Sequence, residues 1–253
     1  MFKFILRKVS PIPKFDSFNT YLFVGPHPDD IEVGCAASVA KLVAQGKKVY
    51  FLIATDGRVG SNDANISQEQ LVEIRQNEAK NSAKFLGVTD IIFLPFHDGG
   101  EYQEKDMRKS IAEQIVLIKP DIVLTTDYTV ASECHPDHIL VGQATSHAVC
   151  AYSNWTKLMQ YTNVNQTFQP KMLGFYFTAR PNCYFNVTST FDKLDKSLHF
   201  FKSQFSNQDL EMFNKYHKLR AIRFGLRRCC AKCDGYRLLP FLQQHCFPEA
   251  DEL

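Results

Sequence analysis

Two short stretches of this 253-residue chain concentrate side chains able to hold a metal. The first, VGPHPDDIEVGC (24–35), sets His27, Asp29, Asp30 and Glu32 among two glycines and two prolines. The second, SECHPDHILVG (132–142), carries Glu133, His135, Asp137 and His138. Each contains His-Pro-Asp followed by a further potential ligand. One such tripeptide ordinarily marks a helix start, its Asp accepting from backbone N–H groups. Taken singly, either stretch reads as well as a solvated turn. Two copies together point to chemistry. Proline suits a first helical turn, and residues three apart across that turn can face one point. His27 and Asp30 then offer a nitrogen and an oxygen, and His138 a second nitrogen. Two His and one carboxylate, with a position left open, is the pattern of a catalytic zinc rather than a closed structural one. Asp29 lies beside the set, where it could take a proton from water. His135, oriented by Asp137, could hold positive charge near a developing oxyanion.

Those residues meet only if the surrounding elements bring them together. Apolar, β-branched runs predict strands at 21–25, 47–55, 90–96, 121–126 and 171–178. Between them, helical patterns occupy 33–46, 67–87, 105–120 and 137–152, with more helix at 190–204 and 207–223. Ser67, followed three residues on by Gln70, predicts a capping box, and Gly87 a helix stop. Alternation of this kind implies an α/β fold of Rossmann-like type, its sheet mainly parallel with helices on both faces. The two His-Pro-Asp stretches follow the first and fourth strands. They therefore lie on one sheet edge, where open α/β sheets bind ligands.

The composition, 45% hydrophobic and 22% charged, is that of an ordinary globular chain. Its length suits one domain over 1–253, with a basic helical C-terminal portion at about 207–253. No apolar stretch is long enough for a membrane span, and the N-terminal stretch lacks a signal-peptide core, so a cytoplasmic location is expected. A net charge of +2 gives no ground for a nucleic-acid partner. The charge is uneven, however. Eight Lys or Arg face one acid, Asp234, between Phe213 and Phe241. That excess is either a solvated helix face or a patch for phosphate on a substrate or at a membrane surface, with Arg223, Arg227 and Arg228 as candidates. Cys230, Cys233, His245 and Cys246 could form a structural metal site or a redox pair, or simply pack.

PHPDDIEVG together with the downstream HPDH resembles the LmbE/PIG-L family of zinc-dependent N-deacetylases. Members remove acetyl groups from N-acetylglucosamine units on glycolipid, thiol-precursor and antibiotic substrates. The similarity extends over most of the chain, through TDGRVGS (55–61), EIRQNEAKNSAKFLGV (73–88), FHDGG (96–100) and FKSQF (201–205). It implies one catalytic zinc on His27, Asp30 and His138, with Asp29 as general base. It implies His135 as the group stabilising the tetrahedral intermediate, Asp137 as its partner, and Arg75 and Asp98 as sugar contacts. The implied substrate is a small N-acetylated sugar or glycoconjugate, and a homo-oligomer is compatible with it. Where the mycothiol branch has a Tyr, this chain has Glu133, which argues against mycothiol-type substrates. The alternatives are a carbohydrate-binding protein without turnover and a metal-dependent hydrolase of another bond.

Overall fold

The computed structural model describes residues 8–252. Seven strands form its sheet: β1 (Thr20–Gly25), β2 (Lys48–Thr55), β3 (Asp90–Phe96), β4 (Ile122–Thr126), β5 (Met172–Tyr176), β6 (Cys183–Asn186) and β7 (Cys233–Pro240). The helices are α1 (Asp30–Ala44), α2 (Gln68–Leu86), α3 (Glu104–Ile118), α4 (Pro136–His147), α5 (Thr156–Met159), α6 (Asp192–Leu198) and α7 (Asn207–Leu226). The sheet order is β3-β2-β1-β4-β5-β7-β6. The first five strands run parallel, and β7 joins antiparallel to both β5 and β6.

Alternation along the strands explains the two layers. Tyr21, Phe23, Val49 and Phe51 pack under α1, α2, α6 and α7. Leu22, Val24, Leu52 and Val123 face α3 and α4. All eight are fully buried. Burying each such side chain contributes roughly 1.5–3 kcal/mol, so both faces are specified by the strands themselves.

This order decides where a site can form. Chain growth runs from β1 outward through β2 to β3, then returns to β4 on the other side of β1. The connections after β1 and β4 lead to helices on opposite faces, which opens a crevice between the two strand ends. His27 and His135 stand in those two connections.

Most expected elements are present. The capping box of α2 forms between Ser67 and Gln70, and Gly87 caps the helix in the left-handed region at φ 77°. Helix α1 begins at Asp30, three residues before the expected start. Its first turn holds the acidic residues Asp30 and Glu32, which favour a helix N-terminus. The expected helical character of 207–253 needs correction. Helix α7 ends at Leu226, and the chain then enters the sheet as β7. Tyr236 and Leu238 alternate into the core beneath α1, and Gly235 admits the ring of Phe224. Only the edge of β5 and the short β6 specify that strand, and neither partner is visible in the local pattern.

Candidate active site

Asp29 is the N-cap residue of α1, but its side chain makes no capping hydrogen bond. An Asp there for the helix's sake would accept from the first-turn N–H groups. Instead Arg75 of α2 donates from Nη2 to Asp29 Oδ2 at 3.2 Å. Arg75 is itself buried, and it also donates from Nη1 to the carbonyl of Gly57 at 2.9 Å. A Cβ on Gly57, whose φ is 70°, would come within 2.4 Å of that guanidinium. The glycine of TDGRVGS therefore makes room for Arg75, and Arg75 holds Asp29.

Asp30 stands between two imidazoles. Its Oδ2 accepts from the His27 backbone N–H at 2.8 Å and lies 3.1 Å from His27 Nδ1. Its Oδ1 lies 3.2 Å from His138 Nε2. Donor atoms of His27, Asp30 and His138 all fall within 4.8 Å of one another. The far nitrogen of each histidine has a carboxylate of its own. His27 Nε2 lies 3.1 Å from Asp98 and 3.2 Å from Asp137, and His138 Nδ1 lies 3.1 Å from Glu133. Carboxylates behind ligating imidazoles fix ring orientation and raise ligand basicity. Five acids (Asp29, Asp30, Asp98, Glu133 and Asp137) thus crowd around three histidines and one arginine, a charge balance that suits a bound cation. The donor set fits zinc.

The charges follow from this packing. Burial opposes the anionic form of Asp30, but His138 and His27 outweigh it and hold the carboxyl well below the usual range. Burial, reinforced by Asp30, pushes Asp29 up to about 7 against the pull of Arg75. Burial disfavours protonated His27, yet hydrogen bonds to Asp137, Asp30 and Asp98 raise it well above its ordinary value. His138 is raised in the same way by Asp30, against its burial. His135 is lowered, by burial and by its two cationic neighbours.

His135 caps α4, its Nδ1 accepting from the Asp137 backbone N–H at 3.3 Å. In the neutral ring the proton then sits on Nε2, ready to donate. The Asp137 carboxylate approaches His135 Nδ1 only to 3.8 Å. Its hydrogen bonds go elsewhere, to the backbone N–H groups of Gly99 and Gly100 at 2.9 and 2.8 Å and toward His27. Asp137 thus ties β3's Asp-Gly-Gly turn to α4, while its backbone rather than its carboxylate orients His135. Asp98, expected as a sugar contact, also accepts weakly from the Val59 N–H at 3.4 Å.

A cleft of about 330 Å³ opens over Asp29, Asp30 and His138, with Phe177, Phe205 and Phe213 among its walls. Phe177 lies parallel to the His138 ring, with centroids 6.4 Å apart. Its φ of 55° is costly for a bulky residue and marks a position held by its surroundings. These aromatic walls and the role of Glu133 were not legible in the sequence. Phe205 carried a signal only as part of FKSQF. The cysteine cluster divides: Cys230 and Cys233 sulfurs lie 2.8 Å apart, whereas Cys246 pairs with His245 at 3.2 Å. Among the described residues the four form no common metal group.

A family model described as PIG-L, GlcNAc-PI de-N-acetylase, matches residues 22–149, half of the chain and both His-Pro-Asp stretches. The chain belongs to the PIG-L family. A relative from Thermococcus kodakarensis, diacetylchitobiose deacetylase, is 30% identical over 93% of this chain and 89% of its own length. The structure of N,N'-diacetylchitobiose deacetylase from Pyrococcus horikoshii, in complex with an inhibitor, superposes with a TM-score of 0.91 at 27% identity. The match covers 100% of this chain and 96% of that one. A 4-carboxy-2-hydroxymuconate hydratase from Pseudomonas putida shares the fold at 15% identity, with a TM-score of 0.73 over 87% of this chain and 96% of its own. The PIG-L architecture therefore does not dictate one reaction, and the site must carry the functional conclusion.

Proposed function

We propose that this protein is a zinc-dependent N-deacetylase that hydrolyses the acetamide of an N-acetylated amino sugar or glycoconjugate. The convergence of His27, Asp30 and His138 donors, with Asp29 held beside them by Arg75, carries that conclusion. Zinc on those three residues would supply Lewis acidity toward the acetyl carbonyl and toward water. Asp29 accepts the proton of the attacking water, and Arg75 keeps its carboxylate aimed at the cleft. His135 donates from Nε2 to the oxygen that becomes negative as the carbonyl carbon turns tetrahedral. The proton held by Asp29 passes to the departing nitrogen as the C–N bond breaks, leaving acetate and a protonated amine. Phe177, Phe205 and Phe213 offer apolar faces for a pyranose ring and limit water around the amide. A sugar-binding protein without turnover would need neither a held base nor an oriented His135.

Residues 8–252 serve this chemistry as one domain, since β7 from the C-terminal portion lies within the sheet beside β5. Among the described residues no helix is long and apolar enough to cross a membrane. The eight cysteines are all free.

The test is acetate release from N,N'-diacetylchitobiose, N-acetylglucosamine and UDP-N-acetylglucosamine, with and without a chelator. Turnover of at least one substrate, abolished by chelation and restored by zinc, is the expected result. Release that survived complete metal removal would overturn the zinc assignment.

A further inference from the structure

Tyr216 of α7 borders two hollows. On one side is the cleft over Asp29 and His138. On the other is a cavity of about 500 Å³ lined by Arg180, Arg220, Arg223 and Arg227, with Phe224 beside them. No Asp or Glu is among its described lining residues.

Arg220 and Arg223 lie on α7 and Arg227 is its C-cap residue, at spacings of three and four residues that place them on one side. Like charges at that spacing destabilise an isolated helix. The helix C-terminus offsets part of this for Arg223 and Arg227, since cations favour that end. It gives no reason for Arg180, which the segment after β5 brings to the same cavity. The guanidinium groups are held mostly by neutral partners. Arg227 donates to the Tyr184 hydroxyl at 2.6 Å, Arg180 donates to Thr129 Oγ1 at 3.0 Å, and Arg220 stacks over Phe224 at 4.9 Å. Arg180 approaches Asp251 at 3.7 Å in an exposed pair. Among the described residues, Arg220, Arg223 and Arg227 have no carboxylate within ion-pair distance. Arg228, from the same basic stretch, lines a different hollow with Lys14 and Lys41.

We propose that this cavity binds the phosphate or diphosphate of a substrate whose acetamido sugar occupies the adjoining cleft. The proposal rests on the deacetylase function above and names its substrate class: an N-acetylated 2-amino sugar bearing a phosphoryl or diphosphoryl group at its anomeric carbon. In such a molecule the amide and the phosphate stand on adjacent ring carbons. A sugar held in the cleft therefore presents its anionic group within a few bonds of the reacting acetyl, toward Tyr216 and the arginines beyond it. Arginine suits the task, because its planar fork engages two phosphate oxygens at once. A sugar nucleotide and a lipid-linked sugar diphosphate share this anion.

Calorimetric titration with inorganic pyrophosphate at low salt reads the anion site without any turnover, so it stands or falls apart from deacetylation. The wild type should bind, and Arg223→Gln should weaken binding about tenfold, with Arg223→Glu weakening it further. Arg223 is exposed and has no ion-pair partner among the described residues, and melting temperatures close to the wild type's would confirm that both variants fold. Absent pyrophosphate binding, or equal binding in all three proteins, would overturn the proposal. Acetate release then compares UDP-N-acetylglucosamine, a short polyprenyl diphosphate N-acetylglucosamine in micelles, and neutral N,N'-diacetylchitobiose. Arg223→Gln should lower the ratio of charged to neutral kcat/KM about tenfold, and the faster of the two charged substrates identifies the source of the diphosphate. A ratio unchanged by the substitution would overturn the proposal even if deacetylation itself were established.

Discussion

Asp29 and Asp30 are neighbours in the chain with opposite electrostatic fates. Two imidazoles face Asp30 and keep it ionised, whereas Asp29 is buried beside that charge and pushed up to about 7. We propose separate work for them, Asp30 as a ligand and Asp29 as the base beside it. Asp29→Asn should keep its metal and lose at least about a hundredfold in kcat, the scale of general base catalysis. Asp30→Asn should lose the metal itself. Metal content measured alongside steady-state kinetics separates the two, and equal metal loss in both would make Asp29 a ligand. Glu133 is a third case. Its Oε2 faces His138 Nδ1 at 3.1 Å, and its Oε1 accepts from the His135 backbone N–H at 2.9 Å. Glu133→Gln keeps the shape but removes the charge behind the imidazole, so zinc affinity should fall about 10–100-fold in a competitive chelator titration.

At the scale of elements, the site depends on how closely α4 approaches β4. A Cβ at Gly142 would lie 2.8 Å from the Thr126 carbonyl oxygen and 3.0 Å from Tyr128. One turn earlier, the His138 carbonyl accepts from Thr126 Oγ1 at 2.9 Å. Gly142→Ala has no soft neighbour to displace, because the obstruction is backbone. It should cost about 1–3 kcal/mol in urea unfolding, as overpacking does. It should also reduce zinc affinity, because the shift moves His138 relative to Asp30. Wild-type stability in that variant would mean that α4 has room to spare.

At the scale of the whole molecule, His217 links the cleft to stability. It is buried on α7, its Nε2 has no hydrogen-bond partner among the described residues, and burial, aided by Arg220, lowers it to about 4. The unfolded chain regains the ordinary value of about 6.5. Between those values the unfolded state binds the extra proton, so stability falls as pH drops from about 6.5 toward about 4. The shift amounts to about 3 kcal/mol at most. His217→Gln cannot take up that proton. Its unfolding free energy should therefore decline less than the wild type's across this window, and parallel pH curves for the two proteins would remove His217 as the cause.

The sequence by itself determined the alternation of strand and helix, the shared sheet edge of the two His-Pro-Asp turns, and the grouping of His27, Asp30 and His138. These features depend on local period, on turn chemistry and on the handedness of parallel crossovers, all of which a linear pattern carries. Only the tertiary structure decided that β1 and β4 are neighbours, because strand order depends on which apolar faces find each other. The same holds for β7, whose two partners lie far away in the chain. It also decided that Asp137 bonds Gly99 and Gly100, that Glu133 backs His138, and that Arg180 joins the arginines of α7. Each of these pairs segments with no mutual signal in sequence, and a side chain's partner is fixed by packing distance rather than by residue type.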